Sequence, residues 1–337
     1  MNVEMIHRSV NSPTGGIGRR AFLKRAAAAG AGLMIGAAAR AAEKTSASPL
    51  PMRVLGRTKQ KVTVLGLGTA PLGEGPVGLK EGIRVFGEVL DRGVNYVDTA
   101  RIYGNAEEIL GHLVPKRRDK LFLVTKVSTD NAARAEKSLA ESMRLLRTDH
   151  LDLVHIHSIG GKKLDRVLGK GGVLNYLLKQ KEAGKVRFIG ISGHNRPGNF
   201  VKMLETDQID VIMCVLNYAD CNIYDFERRV LPTARKKNAG IVAMKVYVGI
   251  KGGFRNHRKG SVGCVTEPKH FPAALAYALD LPGVAVAAVG PYTFDQAVQN
   301  VQLAHNYKPL TKAQREELLA LGKQIAPTIG PRYGPVV

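Results

Sequence analysis

Several apolar runs in this chain end on a residue that could do chemistry. Asp98 closes NYVD, Lys126 closes LFLVTK, His157 closes LDLVHIH and Ser192 closes RFIGIS. Tyr103 follows Asp98 within the stretch NYVDTARIYGNAEEILG. An isolated charge at the end of an apolar run is costly to bury without partners. Each residue also has a structural reading. An aspartate caps a helix or turns a loop, and a buried lysine pairs with a carboxylate. A histidine in an apolar strand, such as His155 beside His157, is a core side chain. Taken together, Asp, Tyr, Lys and His suit one reaction, proton donation to a carbonyl oxygen. A phenol is a poor acid at neutral pH, with a pKa of about 10. A neighbouring ammonium stabilises the phenolate and lowers that value. A carboxylate holds the lysine charged and in place, and a histidine orients the substrate oxygen. The carbonyl carbon then needs a hydride, which a nicotinamide supplies.

Such a set works only if the fold gathers those run-ends in one place. MRVLGRTKQKVTVLGLGT reads as a hairpin leading into a strand, with alternation on both sides of the RTKQ turn. A regular rhythm follows. Helix-period segments lie near 79–92, 106–114, 132–146, 174–183, 197–204, 224–237, 271–279 and 293–305. Between them stand VTVLGLG, YVDT, LFLVTK, LDLVHIH, RFIGIS, DVIMCV, GIVAMK and VAVAAV. Strict βα alternation implies parallel strands and right-handed crossovers. Eight such units predict an α/β fold of the closed (β/α)8 TIM-barrel type over residues 52–309. A doubly wound sheet is disfavoured, because no GxGxxG follows a strand and opens a helix. Residues 43–51 read as a linker, and residues 310–337 as a C-terminal helix (Lys312–Lys323) with a Pro/Gly-rich end. A barrel carries its chemistry on the loops at the C-terminal ends of its strands. Asp98, Lys126, His157 and Ser192 all fall there, and Tyr103 lies on the loop beside them.

The composition is that of a globular protein, with 45% hydrophobic and 23% charged residues in 337. Cys214, Cys221 and Cys264 form no CxxC pair and no zinc spacing, and their odd count argues against a disulfide framework. No metal site is expected. The N-terminal stretch GRRAFLKRAAAAGAGLMIGAAARAAEK pairs Arg19 with Arg20, then runs through weakly apolar Ala26–Ala39 to Ala39-Arg40-Ala41. A charged region, an apolar region and a small-residue cut site make an export signal. The apolar run is shorter than the roughly 20 residues of a membrane span. RRAFLK resembles the twin-arginine motif, although Gly18 stands where Ser or Thr is usual. Residues 1–42 are therefore expected to be a removed signal peptide. The mature protein is expected in the periplasm, exported folded by the twin-arginine machinery and with no stable membrane anchor. The formal net charge is +22; residues 1–42 hold six Lys/Arg and one Glu, so removal would leave +17. The basic residues are dispersed, with no helix-turn-helix or aromatic-interleaved stripe, so nucleic acid is not an expected partner. Attraction of an anionic cofactor or substrate, or of a membrane surface, fits better.

VDTARIYGNAEEILG, LFLVTK, LDLVHIH and GISGHN, in matching order within about Met52 to Asn306, resemble the aldo-keto reductase superfamily. DTAxxYGxxE is a highly specific motif. The resemblance implies a (β/α)8 barrel whose N-terminal hairpin closes the bottom. NADPH, or in some members NADH, lies extended across the top. It implies a catalytic tetrad of Asp98, Tyr103, Lys126 and His157, with Tyr103 as the general acid reducing an aldehyde or ketone to an alcohol. Thr69 is an implied cofactor position, and Ser192 matches the serine that binds the nicotinamide carboxamide. Gly193 replaces the usual neighbouring Asn, with Asn195 close by to substitute. Met213 stands where a glutamine commonly contacts the same amide, and Met244-Lys245 matches a known Met-Lys subgroup. Gly290, Gln296 and Asn300 fall in the adenosine-phosphate segment GPYTFDQAVQN. Tyr292 and Gln296 occupy the places where a Lys or Arg usually neutralises a 2′-phosphate, which leaves NADP and NAD both open. The loop GIKGGFRNHRKGSVG carries Lys251, Arg255, Arg258 and Lys259, and in the family this loop folds over the pyrophosphate. Some Met-Lys relatives end in a cysteine-rich segment resembling an iron–sulfur site. Here IAPTIGPRYGPVV has no cysteine, so no cluster is expected. Some relatives instead keep the coenzyme as a bound ligand, so the alternative is a non-catalytic, redox-responsive coenzyme-binding subunit of the same fold.

Overall fold

Each apolar run becomes a strand because its residues can be buried on both faces, inward against the other strands and outward against helices. The computed structural model describes residues 49–253, 256–260 and 263–337. The expected signal peptide, the linker as far as 48, and Arg255 lie outside the described residues. A hairpin comes first, β1 (Met52–Val54) antiparallel to β2 (Lys61–Thr63). The barrel strands follow: β3 (Leu65–Gly68), β4 (Tyr96–Asp98), β5 (Phe122–Val127), β6 (Leu151–Ile156), β7 (Val186–Gly193), β8 (Val211–Val215), β9 (Gly240–Met244) and β10 (Val284–Val289). They close in the order β10-β3-β4-β5-β6-β7-β8-β9, every pair parallel. This is the expected (β/α)8 barrel.

Alternation sorts the side chains. Tyr96, Phe122, Leu153, Val211, Val242 and Val286 fill the inside. Tyr96, Phe122 and Phe188 stack as a floor, with ring centroids 5.6 and 6.1 Å apart. Residues such as Leu67, Val97, Leu123, Val154 and Ile191 point out into a second, larger core under the helices. The hairpin closes the N-terminal end, its Leu55 and Val62 joining the inner core. Arg57 donates to the carbonyls of Asp207 and Ile209, just ahead of β8, and Arg53 to those of Leu279 and Val284 at the start of β10.

The helices Ala132–Leu146 and Phe271–Leu279 have the predicted bounds. The segment predicted as one helix over 224–237 is divided into Phe226–Arg229 and Leu231–Lys236. Pro232, which has no N–H to continue the first piece, opens the second. The last helix runs Lys312–Ile329, past the predicted Lys323 and through Pro327, from a Thr311/Gln314 capping box. Among the described residues no helix is long and apolar enough to cross a membrane.

Candidate active site

Asp98, Lys126 and His157 come to one rim because each stands at the C-terminal end of neighbouring strands β4, β5 and β6. Tyr103 joins them through a tight loop. Its N–H donates to the Ala100 carbonyl (2.9 Å), and its own carbonyl accepts from Ala106 (3.0 Å). Gly104 follows at φ +55°, where any Cβ would collide with the Gly73 carbonyl. The glutamate of the DTAxxYGxxE stretch, Glu107, braces this loop from below. It is fully buried, accepting from Thr125 on β5 (2.7 Å) and from Arg101 (3.0 Å). The motif included Glu107, but its residue type did not reveal that bracing role.

Lys126 Nζ donates to Asp98 Oδ2 at 2.6 Å and to the Thr99 carbonyl at 2.9 Å. It also lies 4.7 Å from the centroid of the Tyr103 ring. The His157 ring meets Tyr103 edge-on, centroids 5.8 Å apart, and its Nδ1 is 2.9 Å from Ser128 Oγ. Burial pushes Asp98 up and Lys126 down, and in each case the ion pair is the main opposing influence. Burial also drives His157 down to about 3, helped by Lys126, Lys162 and Lys245, so its imidazole is neutral. Tyr103 corrects the sequence reading. Burial, reinforced by the negative charges of Asp98 and Glu74, holds its phenol well above the ordinary value. The group at the rim is thus a protonated phenol, with a neutral imidazole and one ion pair beside it.

Asp98, Tyr103 and His157 line a cavity of about 820 Å³ that is also lined by Tyr292, Gln296 and Asn300. Of the predicted positions, Asp98, Tyr103, His157, Thr69, Asn195 and Met213 line it, as do Met244, Lys245, Gly290, Gln296 and Asn300. Lys126 and Ser192 do not. Both are 1% exposed, and the Ser192 hydroxyl has no partner. Two predicted contacts have structural duties as well. The Thr69 hydroxyl donates to the Asp98 carbonyl (3.0 Å), and the Gln296 side-chain carbonyl accepts from Tyr292 N–H (2.7 Å) within a capping box with Thr293. Lys245 also faces the cavity, its ammonium driven down to about 8 by burial, against the pull of Glu74. In the basic loop, Lys251 and Arg258 line the cavity, and Arg258 Nε donates to Glu74 Oε2 at 2.6 Å.

One wall was not legible in advance. The C-terminal tail folds back so that Arg332 and Tyr333 line the cavity. Arg332 grips both oxygens of Asp220, at 3.0 and 2.7 Å, and also donates to the Val248 carbonyl. Tyr333 packs on His194, centroids 4.9 Å apart, and its N–H donates to Tyr224 Oη at 2.8 Å. Among the described residues no three His, Cys, Asp or Glu side chains gather as a metal site.

The profile of the Aldo/keto reductase family matches residues 64–271. An L-galactose dehydrogenase from Arabidopsis thaliana is 30% identical over 213 residues, covering 58% of this chain and 64% of the relative, so the match spans less than two thirds of that protein. The uncharacterized oxidoreductase YrpG of Bacillus subtilis is 29% identical over 290 residues, 72% of this chain and 87% of its own length. Among solved structures, an aldo-keto reductase from Bacillus halodurans in its holo form superposes with a TM-score of 0.66 at 25% identity, covering 81% of this chain and 96% of that one.

Proposed function

The chain belongs to the aldo/keto reductase family, and on that footing we propose that it is a nicotinamide-dependent oxidoreductase reducing an aldehyde or ketone to an alcohol. The observation that carries this reading is the buried Lys126–Asp98 pair, 2.6 Å long, under a protonated Tyr103 at the floor of a large cavity. The substrate carbonyl oxygen sits against Tyr103 Oη and His157. A reduced nicotinamide, when bound, would supply a hydride for the carbonyl carbon. Tyr103 gives its proton to the oxygen as negative charge develops there. Lys126 then stabilises the phenolate, and Asp98 keeps the ammonium in position. Neutral His157 orients the oxygen without competing as an acid.

The residues present fit such a coenzyme. Ser192 keeps a buried hydroxyl without a protein partner, suited to a carboxamide, with Asn195 and Met213 near that end. Met244, Lys245 and Thr69 would flank the ring and phosphates, and Gly290, Gln296 and Asn300 the adenosine. No cation stands at 292 or 296, so the assignment covers NADPH and NADH equally. The test is fluorescence. Reduced coenzyme bound to the protein should lose its emission when small aldehydes or ketones are added. Persistent emission across a broad carbonyl panel would favour a coenzyme-holding subunit without turnover. Export by the twin-arginine route and a periplasmic location are proposed on Arg19, Arg20 and the run to Ala41 alone. Cell fractionation with and without that pathway tests them.

A further inference from the structure

Beside and below the Lys126–Asp98 pair, the barrel interior is more polar than its architecture requires. Barrels of this kind usually fill these layers with branched apolar side chains. Here Lys126 and His155 are register partners across β5 and β6, and Tyr96 stands two residues before Asp98 on β4. Tyr96 and His155 are both fully buried. The Tyr96 hydroxyl, both His155 ring nitrogens and Asp98 Oδ1 have no protein hydrogen-bond partner. The Ile191 carbonyl lies close enough to favour a proton on His155, but makes no bond of ordinary geometry. The surrounding strands leave room for these rings. A Cβ at Gly190, the register partner of His155 on β7, would collide with the imidazole, and one at Gly66 would strike the Tyr96 ring. A phenylalanine would serve the stacked floor as well as Tyr96 does, and a leucine would fill the place of His155. Buried polar groups are retained only when something meets their hydrogen bonds. A polar pocket with several convergent groups is where a protein holds internal water.

We propose that Tyr96 and His155 hold ordered water against Asp98 Oδ1, and that this buried set positions the catalytic ion pair from inside the barrel. It rests on the carbonyl-reduction reading of the site above it. Asp98 Oδ2 is committed to Lys126, so Oδ1 is the oxygen that still needs donors. Donors to a carboxylate favour its charged form. An ionised Asp98 keeps Lys126 an ammonium, and the ammonium stabilises the phenolate left when Tyr103 gives up its proton. Tyr96 and His155 are positioning residues in this scheme, since neither touches substrate. The other charged or titratable groups acting on this set are Lys245 on Asp98, Glu107 on Lys126, Tyr103 above the pair, and Lys126 and His157 on His155.

The test has two arms. The first is a high-resolution crystal structure of the full chain. Water bridging Tyr96 Oη, Asp98 Oδ1 and a His155 nitrogen is expected. A dry interior, or a direct Tyr96–Asp98 bond, would overturn the proposal whatever the enzyme does. The second arm is the pH profile of kcat for Tyr96→Phe, His155→Leu and His155→Gln. Loss of donors raises Asp98, so the acidic limb should move to higher pH in the Phe and Leu variants. Their kcat at neutral pH should fall about tenfold, the scale of one hydrogen bond to a charged group, with coenzyme affinity unchanged. His155→Gln retains polar atoms and should restore most of the profile. Unmoved limbs in Tyr96→Phe and His155→Leu, or equal loss in Leu and Gln, count against it. If the wild type reduces no carbonyl, the enzyme reading fails and the crystallographic arm alone decides this one.

Discussion

Asp98 and Asp220 are both almost fully buried, at 4% and 2% exposure, and each meets a cation. Asp98 has one lysine on one oxygen and nothing from the protein on the other. Asp220 has Arg332 on both oxygens, Asn217 on Oδ2 at 2.7 Å, and a partner arginine that is itself tied to the Val248 carbonyl. Burial pushes both carboxyls up, and the paired cation is in each case the chief opposing influence. The difference lies in what remains available. A guanidinium fork fixes geometry in two contacts at once, whereas an ammonium is a point charge that can serve several neighbours. Lys126 uses that freedom, reaching Asp98, the Thr99 carbonyl and the Tyr103 ring. The saturated pair holds a tail in place; the unsaturated pair is left open to chemistry.

The largest effect should come from above the unsaturated pair. Tyr103→Phe removes one hydroxyl and leaves the ring over Lys126. Turnover should fall by roughly 100-fold or more, the range for a lost general acid. Denaturant midpoint and coenzyme affinity should stay near wild type. A variant retaining full kcat in steady-state assays would remove Tyr103 from the proton step.

Arg332→Met attacks the saturated pair and should show the opposite pattern. Breaking a buried ion pair typically costs about 3–5 kcal/mol, and tail detachment lets Asp220 hydrate, so a loss of about 3 kcal/mol is expected in chemical denaturation. Proteolysis should then clip the chain near its C-terminus, with kcat per folded molecule changed only a few-fold. If kcat collapsed while the fold held, the division between a structural and a chemical pair would be wrong. Arg332→Lys sharpens the point. It keeps the charge and loses the fork, so about 2 kcal/mol should go, the scale of one hydrogen bond to an ion.

The same contrast explains what could be read from sequence. Asp98, Lys126 and His157 stand at the ends of apolar runs, and the barrel rule sends all such ends to one rim. Tyr103 is tethered five residues away on a single loop. Asp220 and Arg332 are 112 positions apart, one opening a three-residue 3-10 turn (Asp220–Asn222) and the other in the tail after the last helix, with no periodicity to place them. The break at Val230 in the 224–237 segment is hidden in the sequence because the apolar pattern continues across it, with Pro232 its only local mark. The direction of the Tyr103 shift depends on how completely the cavity shields the phenol, a property of the assembled walls and not of any residue type. Ser192 stands on β7 with its unpartnered hydroxyl almost fully buried, a depth not legible in sequence because the pattern gives which strand face a residue occupies and no more.

The smallest expected effect concerns Lys245, which acts on both carboxylates. Its ammonium is held down to about 8, chiefly by burial, with Arg332 and Lys126 contributing and Glu74 opposing. Below about pH 8 Lys245 is mostly charged and would attract an anionic coenzyme; above it, the charge is progressively lost. Coenzyme affinity should therefore be flat on the acid side and weaken on the alkaline side, by at most about tenfold per pH unit, when titrated between about pH 6.5 and 9.5. Lys245→Met should bind more weakly and show no such bend. A wild-type curve without a bend would mean that Lys245 keeps its proton throughout, held by Glu74 more firmly than burial drives it off. The unsaturated pair would then have a permanent positive neighbour, and Asp98 would owe less of its charge to the groups beneath it.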